Sequence, residues 1–107
     1  MQTSLLVAFQ GCEPSDPIRA SIAHEFERLE THDHRITSGR VTVIGPSDQH
    51  RNRTGFQIHI LLTLPPHENI VVSHSPSDDG RHAHAEVAVK DAFAAARRQV
   101  DDLRQKH

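Results

Sequence analysis

Lys90, Arg97 and Arg104 recur at intervals of seven residues near the end of this 107-residue chain. On an α-helix that interval returns almost to the same side, so the three cations form a row. Arg98 adds a charge beside Arg97. Guanidinium groups along one rigid helix suit phosphate oxygens, because each planar fork donates paired hydrogen bonds and stays charged at any physiological pH. The row flanks an apolar stripe in which Val89, Ala92, Phe93, Ala96, Val100 and Leu103 recur at helical spacing. These residues predict a helix from about Ala83 to Gln105 with one buried face and one cationic flank. Carboxylates four residues away offer another reading, a solvated face of weak ion pairs: Glu86 with Lys90, Asp101 with Arg97 and Asp102 with Arg98.

Other chemistry is less well supported. The chain has ten histidines, and two pairs, His32-Asp33-His34 and His82-Ala83-His84, carry ligand-type side chains two apart. That spacing brings imidazoles together on a strand, whereas both pairs fall in predicted loops or helix ends. No Cys-x-x-Cys or His-Glu-x-x-His pattern accompanies them, so no metal site is assigned. Histidine as a residue type titrates near pH ~6.5. Protonation of all ten would carry the formal charge from −2 to +8, which would favour a polyanion in acid. There is no glycine-rich phosphate loop, no Gly-x-Ser-x-Gly and no pair of carboxylates in an apolar setting, so no catalytic residue and no cofactor are assigned. Cys12, the one cysteine, has no evident partner and reads as a small side chain near a strand end. It fits a reducing compartment, and a cytoplasmic location is expected. No run approaches ~18 apolar residues and no basic-then-apolar leader follows Met1, so neither a membrane span nor a signal peptide is expected.

The elements that would carry these residues are legible from their periodicity. Ser4–Gln10 is a strand with apolar side chains on both parities, which predicts an interior position in the sheet. Ser15-Asp16-Pro17 is a helix start: a serine or aspartate caps, and proline suits the first turn. Ile18, Ile22, Ala23, Phe26 and Leu29 form one face of that helix, which ends near Thr31–Asp33. Ile36–Ile44 is a second strand. Gly45 to Arg53 is a hairpin loop, in which Arg51 and Arg53 are as readily soluble loop residues as phosphate contacts. From Phe56 to Leu64, Phe56, Ile58, Ile60, Leu62 and Leu64 share one face, so one side of the sheet is packed and the other largely wet. Pro65-Pro66 ends that strand, Asn69–His74 is a fourth, and Ser75–Arg81 is a polar loop. The expected fold is therefore a single α/β (α+β) domain over 1–107, in the order β-α-β-β-β-α. Its four-stranded mixed sheet carries both helices on one face.

Charge alone does not point to RNA. Residues 1–53 and 54–107 each carry six cations and seven anions, so any anion site must come from local arrangement. The wet sheet face lacks aromatic residues for base stacking.

Several segments, in order, point to a family. They are Ser15-Asp16-Pro17-Ile18-Arg19, Phe26-Glu27-Arg28-Leu29-Glu30, Pro65 with Ile70-Val71-Val72, and Val87-Ala88-Val89-Lys90-Asp91-Ala92-Phe93 leading to Arg97-Arg98-Gln99-Val100. Together they resemble the ribosome-associated inhibitor and hibernation-promoting factor family, also called the sigma-factor modulation family. The resemblance implies a non-enzymatic protein that binds the small ribosomal subunit and its rRNA and represses translation in stress or stationary phase. It implies neither a small-molecule substrate nor a membrane partner. Carried over, the rRNA-binding residues are Lys90, Arg97 and Arg98, with Arg19 and Arg28 on the first helix, while Arg104 and Lys106 extend the last helix. Glu86 stands where family members carry a tyrosine or other large residue, and Asp101-Asp102 interrupts the basic tail. These acidic departures favour a second reading, a protein–protein regulatory module that keeps the fold without ribosome binding.

Overall fold

Ser15 starts the first helix by leaving helical geometry itself. Its backbone is extended (φ −128°, ψ 121°), its Oγ accepts the Ile18 N–H at 3.4 Å, and Pro17 occupies the first turn of α1, Asp16–His32. This computed structural model describes residues 4–45, 56–65, 68–74 and 85–105. The expected loops, Arg51, Arg53, Pro66, His82, His84 and Lys106 lie outside the described residues.

The elements run β1 (Ser4–Gln10), α1, β2 (Ser38–Ile44), β3 (Gln57–Leu64), β4 (Glu68–His74) and α2 (Ala85–Gln105). The sheet order is β1-β2-β3-β4. β1 lies parallel to β2, as a helical crossover requires, and the next two pairings are antiparallel. The fold class, element order and pairing expected from the sequence are those observed. No helix among the described residues is long and apolar enough to cross a membrane.

β1 departs from expectation: it is an edge strand, because β3 occupies the other side of β2. Its two apolar parities therefore have different fates. Leu5, Val7 and Phe9 pack against the core, whereas Leu6 on the outer face is 53% exposed. Ala23, expected on the buried face of α1, is exposed. The buried face narrows to Ile22, Phe26 and Leu29, with Ile18 packed at its margin.

β2 begins two residues later than its apolar pattern indicates, because a charged turn intervenes. Asp33 closes α1 by donating its N–H to the Leu29 carbonyl at 2.9 Å. Its buried carboxylate is held by Arg35: Oδ1 accepts the backbone N–H at 2.9 Å and Oδ2 accepts Nη2 at 2.7 Å. A buried carboxylate is tolerated because a bidentate arginine satisfies it.

The core lies between one sheet face and both helices. Val41, Val43, Ile58, Ile60, Leu62, Leu64, Ile70 and Val72 meet the α1 face and Ala88, Val89, Ala92, Phe93, Ala96 and Val100 of α2. Ala88, Ala92 and Ala96 recur every four residues and are fully buried, so the α2 backbone lies close to its neighbours. α1 approaches just as closely at Gly39, where a Cβ would lie 2.4 Å from the Phe26 ring. On the outer face the register aligns Leu6, Arg40, Leu61 and Val71 in one row across the sheet.

Candidate nucleic-acid interface

Packing rotates each helix so that a polar flank of one faces a polar flank of the other. Burying Ile22, Phe26 and Leu29 turns Glu25, Arg28 and His32 of α1 toward α2. Burying Val89, Phe93, Ala96 and Val100 turns Lys90 and Arg97 toward α1. Between them lies an open cleft of about 340 Å³ with Leu29 and Phe93 in its lining. The lining holds three cations, Arg28, Lys90 and Arg97, against one carboxylate, Glu25. The cleft is thus locally positive although the whole chain carries −2.

The cations are available to a ligand. Lys90 and Arg97 are exposed, and among the described residues neither forms an ion pair. The i,i+4 pairs that would occupy them are not formed. Asp101 instead reaches across the interface to His32, with Oδ1 2.6 Å from Nε2. Arg28 is 64% exposed, and its Nη1 donates to Glu25 Oε2 at 3.3 Å, which leaves other N–H groups to face outward.

Not every sequence-derived residue joins this cluster. Arg98 is exposed and unpaired among the described residues, but one residue past Arg97 turns it about 100° away from the cleft. Arg104 lies on α2 two turns beyond Arg97, on the same flank, and its side chain is outside the described residues. Arg19 stands apart. Nine residues separate it from Arg28, which is two and a half turns, so the two point from opposite sides of α1. Arg19 Nη1 lies 3.6 Å from Asp16 Oδ1, and its guanidinium carbon lies 5.6 Å from the Phe9 ring centre, over β1.

Glu25, Thr31, His32 and Asp101 are part of this region and were not anticipated as such. The 25-28-32 spacing on α1 marks one flank. Which flank would meet α2 is not written in that spacing. Of the candidate metal ligands, His32 is engaged with Asp101, and among the described residues no group of three or more metal-ligating side chains is gathered. Cys12 sits beyond the end of β1, its Sγ 3.8 Å from the Val43 carbonyl.

A cleft of exposed cations on two rigid helices, of which Lys90 and Arg97 are unpaired among the described residues, can hold successive phosphates of one backbone. Comparison with known proteins bears on the family and the fold. The model of a family described as sigma 54 modulation protein / S30EA ribosomal protein matches residues 5–107. The fold is similar to a ribosomal subunit interface protein from Coxiella burnetii, with a TM-score of 0.76 at 13% identity, covering 96% of this chain and 99% of that one. It is also similar to the N-terminal domain of Thermus thermophilus Protein Y, with a TM-score of 0.65 at 17% identity and the same coverage of 96% and 99%. At such identities these likenesses establish the fold alone. No curated protein matches the chain by sequence.

Proposed function

This chain belongs to the sigma 54 modulation protein / S30EA ribosomal protein family, and we propose on that footing that it is a ribosome-associated factor. It binds the small ribosomal subunit through rRNA phosphates and represses translation under stress. It acts by occupancy, not by catalysis, and works in the cytoplasm where ribosomes are. Arg28, Lys90 and Arg97 grip the backbone within the cleft. Arg98 and Arg104 continue the basic edge of α2, and Arg19 meets RNA from the opposite side of α1.

One observation carries this reading. Three cations from two helices converge on one open cleft, and the two on α2 have no carboxylate partner among the described residues. Arg28 is 64% exposed and uses only Nη1 on Glu25, so its remaining N–H groups can hold phosphate without releasing the carboxylate. The similarity to a protein described as a ribosomal subunit interface protein supports the choice of partner. The test is co-sedimentation with purified small subunits across a salt series. Binding that weakens steeply with salt is expected. Absence of binding at low salt would refute the proposal.

A second reading, a protein–protein module, is favoured by the outer sheet face. Leu6, Leu61 and Val71 are 53%, 37% and 63% exposed in the row that Arg40 interrupts. A complex with another protein that is insensitive to salt would support it.

A further inference from the structure

The cleft contains one group that phosphate binding leaves unexplained, the carboxylate of Glu25. Its side chain is only 12% exposed. Among the described residues its one partner is Arg28, whose Nη1 meets Oε2 at 3.3 Å, and no donor reaches Oε1. A carboxylate on a largely enclosed side chain with only one of its oxygens met by a protein donor is incompletely satisfied, and its charge also repels phosphate. In a cleft that merely collected anions, this carboxylate would weaken the site. It becomes useful to a ligand that carries a hydrogen-bond donor beside its phosphate.

The position of that donor is constrained. Glu25 touches Arg28, so a donor for Oε1 must lie within one side-chain width of the phosphate that Arg28 holds. In RNA the 2′-hydroxyl sits on the carbon adjacent to the one bearing the 3′-phosphate. Base N–H groups lie across the sugar from that phosphate. The 2′-hydroxyl is also the group by which a protein tells RNA from DNA.

We infer that Glu25 makes the cleft selective for ribose over deoxyribose, with Oε1 accepting the 2′-hydroxyl of the nucleotide whose 3′-phosphate is held by Arg28. Lys90 and Arg97 then serve the neighbouring phosphate. The inference rests on the phosphate-binding reading above and adds a sugar-reading group to it.

Fluorescence anisotropy tests it with three labelled hairpins of one sequence: RNA, 2′-fluoro RNA and DNA. The 2′-fluoro hairpin keeps the A-form shape and lacks the donor. The wild-type chain is expected to bind RNA about tenfold more tightly than 2′-fluoro RNA, the worth of one charge-assisted hydrogen bond. Glu25→Ala should bring that ratio to about one without weakening binding to the 2′-fluoro hairpin. Glu25→Gln, which keeps an acceptor but no charge, should retain part of the ratio. Circular dichroism establishes that both variants are folded.

Equal wild-type affinity for RNA and 2′-fluoro RNA would overturn the inference, whether DNA is rejected on shape or Glu25 reads a base donor. A ratio that survives in Glu25→Ala would overturn it as well. So would uniform tightening of all three probes by Glu25→Ala alone, the signature of plain repulsion. Absence of salt-dependent binding to any hairpin would overturn the phosphate reading itself.

Discussion

Replacing Arg28, Lys90 and Arg97 together by glutamine removes three positive charges from one cleft while keeping side-chain length. Each phosphate met by a cation releases condensed counterions. The logarithm of affinity therefore falls against the logarithm of salt with a slope of about −0.7 per contact on single strands and −0.9 on duplexes. Losing three contacts flattens the slope by about 2 to 3. Over a fourfold rise in salt, the advantage of the wild-type chain over the triple variant should shrink by about 20- to 40-fold. The assay is small-subunit co-sedimentation at several salt concentrations, with thermal melting as a folding control. All three side chains are exposed, and the one ion pair lost among the described residues is Arg28–Glu25; because this leaves the largely buried Glu25 carboxylate without its partner, a modest drop in melting temperature is expected, with the variant still folded under the assay conditions. Arg19→Gln provides the contrast, because Arg19 lies on the far side of α1 against Asp16 and Phe9. It removes at most one contact and should change the slope by less than about 1. A folded triple variant with the wild-type slope would refute the claim that these cations meet phosphate.

Two further outcomes are expected. Gly39→Ala places a methyl 2.4 Å from the Phe26 ring, and the resulting displacement of α1 should cost about 1–3 kcal/mol in chemical denaturation. A midpoint unchanged from wild type would show that the ring moves aside freely. Asp33→Ala strips Arg35 of its bidentate partner and loosens the turn into β2. Because Arg35 is 40% exposed and water screens it, the loss should be about 1–2 kcal/mol, below that for a fully buried pair, by urea melting.

How much of this was legible beforehand depended on how local the information was. The α2 stripe and its cationic flank repeat every three, four and seven residues, so periodicity alone placed Val89, Phe93 and Ala96 inside and Lys90 and Arg97 outside. The alternation in β3 likewise identified Ile58, Ile60, Leu62 and Leu64 as the packed face. β1 was harder: a two-sided apolar strand reads as interior, yet pairing order made it an edge and left Leu6 in solvent. The alternative reading of α2 as a face of i,i+4 ion pairs failed for a related reason. Spacing paired Asp101 with Arg97, whereas in the folded chain Asp101 meets His32, 69 residues away.

The sequence by itself determined the elements, their order, the buried stripe of α2, most of that of α1 (Ala23 excepted) and the row of cations, because each follows from geometry within a few turns of backbone. Tertiary packing decided which flank of α1 faces α2. It thereby drew Arg28 and Glu25 into the cleft with Lys90 and Arg97 and sent Arg19 to the opposite side. That choice is made by how Phe26 settles over Gly39 and how the alanines of α2 lie against the core. Contacts between distant segments exist only once the chain has closed on itself, and no repeat within either helix encodes them.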